Sequence, residues 1–203
     1  MNKPFGEIIE SSLTHWKVQC WQWDIMPTFA SLLVVEQAPF TIYGIVTHLQ
    51  TGSNDPGRVP YAYQKTEEEL RREQPQIFTL LQTTATCMIV GYEHNQSLLY
   101  QLPPYPTKIH TFVHEATPDQ LRSFYAQPTF IPMLANQTSI IVSIEDVLLT
   151  IIKQLHEQNM LSRDYLDQCI RMFSTMVGND YRRLKMFTHR LEHTLSAYAK
   201  SNK

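Results

Sequence analysis

Glycine is scarce in this chain and poorly placed for holding phosphate. Gly6, Gly44, Gly52, Gly57, Gly91 and Gly178 are its six glycines, and no two stand at the spacing of a G-x-G-x-x-G or G-x-x-x-x-G-K loop. A backbone cradle for phosphates needs glycine because side chains block the close approach, so no nucleotide motor is expected. A G-x-S-x-G nucleophile elbow is also absent. Cysteine is rarer still: Cys20, Cys87 and Cys169 are odd in number, far apart, set among apolar residues and form no C-x-x-C. They read as small buried hydrophobes in a reducing compartment. No apolar run approaches the ~20 residues of a membrane span, and Met1-Asn2-Lys3-Pro4-Phe5-Gly6-Glu7 lacks an apolar signal core. A cytoplasmic protein without membrane contact is expected. Charge of one sign is lacking too: the formal net charge is −2, so no global field recruits nucleic acid or membrane.

What is present suits a folded protein. The chain has 203 residues, 43% hydrophobic and 18% charged, enough to bury a sizeable core. Charge is uneven along it. Met1 to Glu115 carries 7 basic and 11 acidic residues, and Ala116 to Lys203 carries 10 and 8; Tyr181 to Lys203 holds 6 basic residues against Glu192 alone.

The pattern divides near Glu115. Before it come short strands punctuated by turn signals: Gly6 to Ile9, His15 to Trp23, Leu32 to Val35 and Thr41 to Leu49, with Pro27 as a break and Thr51 to Gly57 as a turn cluster. Alternation puts Trp16, Val18 and Cys20 on one face of the second strand and Lys17, Gln19, Trp21 and Trp23 on the other. A helix interrupts the strands near residues 66–82, where Thr66 and Glu69 form a capping box, Glu67, Glu68 and Glu69 suit the helix dipole, and Pro75 stops the run. Strands resume at Ala85 to Tyr92 and Leu98 to Leu102 around a Glu93 to Ser97 turn. Pro103-Pro104-Tyr105-Pro106 must be extended outside any ladder, and Ile109 to Val113 is a last strand.

Thr117-Pro118-Asp119-Gln120 then starts a helical region. Three apolar stripes follow: Ile144 to Leu155; Leu166 to Val177, with Ser162 as cap; and Leu184 to Tyr198, after a break at Gly178-Asn179-Asp180. These observations predict an α+β protein: a small β-barrel of six to seven strands in residues 1–115, then an α-helical region in residues 116–203. The helices should pack as a small bundle or against the barrel.

Two histidine groups suggest metal. His189-Arg190-Leu191-Glu192-His193 matches H-x-x-E-H, but none of the ten residues after it is a His, Cys, Asp or Glu that could serve as third ligand; a solvated helix face is the plainer reading. His110 and His114 flank Phe112 on one strand face, and with His48 make a three-histidine set, although strand ends commonly carry histidine. The expectation is no catalytic residue, no metal and no cofactor. Partner binding is a different matter. One aromatic set, Trp16 or Trp21 with Trp23, must fill the barrel; the other is covered by the tail helices or, failing that, forms an anchor. Stacking on nucleic acid is less supported because few basic residues surround it. Pro103, Pro104 and Tyr105 form a rigid segment suited to contacts between copies. Arg182 and Arg183, with Lys185, Arg190, Lys200 and Lys203, lie off the apolar stripe and are either a solvated face or a dock for an acidic surface.

Gly6-Glu7-Ile8-Ile9-Glu10-Ser11-Ser12, the Trp-rich second strand and Ile42-Tyr43-Gly44-Ile45-Val46 resemble the HAS barrel, the small N-terminal β-barrel of HerA-type DNA translocases and F1-type ATP synthase subunits. The order of Asp55-Pro56-Gly57-Arg58, Gln74-Pro75-Gln76, Ile89-Val90-Gly91-Tyr92, Leu102-Pro103-Pro104 and Ile109 to Val113 resembles stand-alone bacterial proteins with such a barrel and a helical tail. The likeness covers roughly residues 5 to 115. In the motor families the barrel is implicated in assembling the toroid and docking accessory subunits. No P-loop domain follows it here, so the resemblance implies a non-catalytic module that oligomerises or binds a partner such as a HerA-like or other hexameric P-loop ATPase. A nucleic-acid-binding barrel, and a metal-dependent hydrolase using His189, Glu192 and His193, are the alternatives.

Overall fold

Alternating apolar residues over the first half of the chain close into a barrel. The computed structural model describes residues 2–55, 57, 59–135 and 142–201, with side chains of the last helix described to residue 196. Pro56, Arg58 and Lys203, and the side chains of Tyr198 and Lys200, lie outside the described residues. The strands are β1 (Gly6–Ser11), β2 (His15–Cys20), β3 (Leu32–Gln37), β4 (Phe40–Ser53), β5 (Leu81–His94), β6 (Ser97–Leu99) and β7 (Phe112–Glu115). Neighbours run β2-β1-β7-β3-β4-β5, all antiparallel, and pairing of β2 with β5 closes the circle. β5 serves two partners on one edge: Thr84 to Met88 face β2, whereas Tyr92 to His94 face the outlying β6. Between them Gly91 passes so close to the Leu99 carbonyl that a β-carbon would sit 2.8 Å from it.

Trp16 fills the barrel, with Ile8, Val18, Leu33, Ile42 and Ile89 among its neighbours in the interior core. The strands β3, β4 and β5 are apolar on their other face as well, as strands buried on both sides must be. Val34, Tyr43, Ile45, Met88 and Val90 point outward into a second, larger core that includes the helical region. The helices are α1 (Glu67–Glu73), α2 (Pro118–Phe124), α3 (Ile131–Ala135), α4 (Ile144–Glu157), α5 (Arg163–Val177) and α6 (Tyr181–Ser201). Their starts follow the expected chemistry: Thr66 and Thr117 form complete capping boxes, and Ser143 and Ser162 cap α4 and α5. Phe173 of α5 and Phe187 of α6 stack with ring centroids 4.3 Å apart.

Several boundaries differ from the sequence expectation. β2 ends at Cys20, so Trp23 is not on it. β4 runs on through Thr51 to Ser53 because β5 begins early enough to pair with it, and the Thr51 and Thr83 hydroxyls meet at 2.7 Å. β7 starts at Phe112 rather than Ile109, because His110 takes a left-handed backbone (φ 66°) that no strand tolerates. The proline segment joins no ladder, as expected, but bends at Pro104 and Tyr105 instead of running straight.

Candidate functional site

The helices cover one side of the barrel, and no residue of β1 or β2 joins the core they share with it. On this wall the outward side chains of β1 and β2, and Phe112 at the start of β7, are half-exposed or exposed, whereas His114 further along β7 is buried. Along β2, Trp16, Val18 and Cys20 point inward and Lys17 and Gln19 outward, and the outward series continues past the strand end to Trp21. The Trp21 amide donates to the Phe5 carbonyl at 2.9 Å, which keeps this residue in register beside β1. Its indole meets the Phe112 ring edge-to-face, centroids 5.2 Å apart and planes at 89°. Trp21 is 49% exposed and Phe112 55%; two large aromatics held rigidly against each other and open to solvent form an anchor-type patch. Exposed Ile9 and Ile109 extend the same wall, tied by the His110 amide donating to the Ile8 carbonyl at 2.8 Å. Glu7 lies across from Phe112 in the register, its carboxylate 3.3 Å from His110 Nδ1, and gives the patch a polar rim.

The other residues singled out in the sequence fall elsewhere. Trp23 is half-buried by the α1 excursion, not by the tail helices: it stacks on Phe78 (5.8 Å, 25°), with the Arg71 guanidinium 4.7 Å from the Phe78 ring and 5.9 Å from Trp23. Arg71 is itself held by Glu67 at 2.8 Å and Asp24 at 3.5 Å. Trp23 therefore anchors the excursion to the barrel and does not join Trp21. Pro103 is buried, whereas Pro104 and Tyr105 are exposed. On α6, Arg182 is exposed, Arg183 pairs with Glu145, and Arg190 pairs with Asp146. Two of the four α6 cations with described side chains are thus paired with α4.

His189 and His193 share an open cleft of about 590 Å³ with Asp146, Thr150, Lys153 and Arg190, and Glu192 does not line it. The three-histidine set does not assemble. His110 is off the strand and exposed; His114 is buried, its Nδ1–H donating to the Glu115 carbonyl at 3.0 Å, with Nε2 3.6 Å from Glu36. Among the described residues no three His, Cys, Asp or Glu side chains gather closely enough to hold a metal ion. Burial pushes the Cys20 thiol up to about 11 and Cys169 up to about 12, so neither is a ready nucleophile.

Two features were not singled out in the sequence. In the sequence Phe112 is a strand residue among histidines, and only its neighbour Trp21, on the far side of β1, makes it part of a patch. The second is a groove of about 670 Å³ between the connection from β4 and the α1 excursion, lined by Val59, Tyr61, Tyr63, Leu70, Phe78 and Leu81 among others. The run Val59-Pro60-Tyr61-Ala62-Tyr63 is the signal that marked it, since a loop so apolar needs a reason to be outside a core. No family model matches the sequence, and no curated protein matches it. Among the described residues no helix is long and apolar enough to cross a membrane.

Proposed function

We propose that this protein is a non-catalytic docking or assembly module whose contact surface is the β2-β1-β7 wall. The observation that carries the reading is the Trp21–Phe112 pair: two mutually packed aromatics, each about half exposed, on the wall that the helical region leaves uncovered. Such a pair offers large apolar area with little side-chain entropy left to lose on binding. The partner is a protein, and the resemblance to HAS barrels points to a hexameric P-loop ATPase of the HerA type; the barrel itself supplies no phosphate loop. The Pro104–Tyr105 bend and the cations of α6 are accessory contacts in this reading, and self-association is part of it.

The test is capture of the partner. A photo-crosslinking residue introduced at Gln19, beside the patch, should trap a protein in cells, and mass spectrometry should identify a P-loop ATPase. Trp21→Ala with Phe112→Ala should abolish the crosslink while circular dichroism stays unchanged. Retention of the same partner by that double variant would remove the wall as the contact surface. Stoichiometric zinc in the purified protein, lost with His189→Ala and His193→Ala, would instead favour the hydrolase alternative.

A further inference from the structure

Where α4 and α6 run past each other, the side chains between them are mostly polar. Asp146, Thr150 and Lys153 recur at helical spacing on one face of α4, and His189, Arg190 and His193 do the same on α6. Together they line the cleft of about 590 Å³, with buried Leu149 as the apolar part of its lining. A volume of that size suits a small molecule.

The cleft is a set of hydrogen-bond donors. Thr150 and Thr194 return their hydroxyl protons to the carbonyls of Asp146 and Arg190, each at 2.8 Å, so Lys153, Arg190 and the two imidazoles are the groups left to donate. Asp146 orients Arg190: one carboxylate oxygen accepts from the guanidinium and the other from the Ser143 hydroxyl. A guanidinium has more donors than one carboxylate oxygen takes, so this pairing leaves the fork able to hold a second acceptor. Lys153 pairs with Glu157 at 3.7 Å, a solvent-exposed ion pair with which an incoming anion can compete. The same company disfavours a metal ion. Two histidines one helical turn apart can share one, but Glu192 is outside the lining, and the neighbouring ammonium and guanidinium repel a cation and attract an anion. A long polyanion fits less well than a compact one. Glu157 follows one turn after Lys153, and in the adjoining hollow Arg182 and Arg183 already stand with Glu145 and Asp180.

We infer that the α4–α6 cleft binds a small phosphorylated ligand, whose phosphate oxygens accept from Lys153, Arg190 and the imidazoles of His189 and His193. The planar fork of Arg190 matches phosphate geometry, and Lys153 supplies a point charge from the opposite helix. With both imidazoles neutral, the lining sets two cations against the Asp146 carboxylate. Protonating the imidazoles adds positive charge on the α6 side, so binding strengthens as pH falls through the range in which histidine titrates. A bound phosphate bridges the two helices and ties α6 to α4. The inference does not rest on the Trp21–Phe112 wall, which lies on other elements.

Calorimetry of the full chain with pyrophosphate provides the test. One pyrophosphate per chain should bind with a Kd below about 1 mM, more tightly at about pH 6 than at about pH 8. Lys153→Ala should weaken binding about tenfold, the worth of a hydrogen bond to a charged group. Arg190→Lys keeps the charge but loses the fork, and should weaken it several-fold. His189→Ala with His193→Ala should weaken it and flatten its pH dependence. Arg122→Ala, on α2 and outside the cleft, should leave binding unchanged. Hydrogen exchange in residues 181–196 of α6 should slow when pyrophosphate is bound. Circular dichroism checks that each variant is folded. No binding at about 1 mM pyrophosphate, or binding that the folded cleft variants retain, or equal weakening by Arg122→Ala, would overturn the inference. A single-stranded oligonucleotide that binds through these side chains where pyrophosphate does not would overturn it in favour of a nucleic-acid backbone. Stoichiometric zinc on His189 and His193 without uptake of pyrophosphate would overturn it in favour of a metal.

Discussion

Trp16 occupies the space that a side chain on Gly44 would need: a β-carbon there would stand 2.6 Å from Cζ2 and 2.8 Å from Cη2 of the indole. The barrel interior thus closes by one large residue on β2 fitting against an absent one on β4. Gly44→Ala should cost about 1–3 kcal/mol or more in urea unfolding, the range for overpacking a tight core. Trp16→Leu alone leaves a void and should also destabilise. The double variant should be more stable than the sum of the two losses predicts, because each change relieves the other. Strict additivity would show that the indole is not held against Gly44.

The two capping boxes should behave differently when broken. Thr66→Ala and Thr117→Ala each remove a side chain accepting from the third helical amide, a loss of about 1 kcal/mol. α1 buries no residue, whereas α2 buries Phe124 in the larger core. Thr117→Ala should lower the global unfolding midpoint; Thr66→Ala should chiefly speed hydrogen exchange and proteolysis between residues 59 and 80. A global loss from Thr66→Ala equal to that from Thr117→Ala would contradict this division.

Acid should loosen α6 before it opens the barrel. The Ser143 hydroxyl and the Arg190 guanidinium hold the Asp146 carboxyl below its ordinary range. For Glu145, burial pushes upward, but the hydrogen bond from Arg183 and a backbone bond outweigh it, and its value is also lowered. A depressed carboxylate contributes stability that is present above its ordinary pKa and lost as pH falls through the folded value. Among the described residues no carboxylate is buried in the barrel. Exchange protection of residues 181–196 should therefore fall as pH drops below the ordinary carboxylate range while β4 and β5 stay protected, and Asp146→Asn should flatten the response. Simultaneous loss of both regions would refute the ordering.

The thiols set a limit at the alkaline end. Burial raises Cys20 to about 11 and Cys169 to about 12, from an ordinary 9.0, and raises Cys87 further. A raised thiol contributes stability that is complete below pH 9 and drains away as pH climbs through the folded values. At pH 8 the native protein should react with iodoacetamide far more slowly than the urea-unfolded chain, in which all three thiols open together. Fast modification of Cys20 in the folded protein would contradict its burial.

Alternation and capping carried most of the architecture in the sequence itself. The Trp16-Val18-Cys20 face, the Thr66 and Thr117 boxes and the Ser162 cap stand where the residues put them, because each rests on local chemistry. Strand ends were less legible. The end of β2 at Cys20 and the late start of β7 depend on His110 taking a positive φ and on which neighbour each strand finds across the barrel, and neither leaves a local mark. The same applies to surface assignments. Trp21 and Trp23 alternate onto one face on paper, yet Trp23 is taken up by Phe78 and Arg71, which lie about fifty residues further along. Phe112 belongs beside Trp21 only because β1 lies between their strands. A pattern read along the chain shows which face a residue takes, but not what waits for it there.

The double-sided strands also bear on how the protein emerges during synthesis. Barrel closure needs β7, complete at Glu115, yet the outward row of Val34, Tyr43, Ile45, Met88 and Val90 shares its core with residues as late as Phe187 and Leu191. A ribosome that has released the barrel but not α4, α5 and α6 holds a closed cylinder with one greasy flank. That interval, some seventy residues of translation, is when a chaperone has most to offer this chain and when crowding with its siblings does most harm.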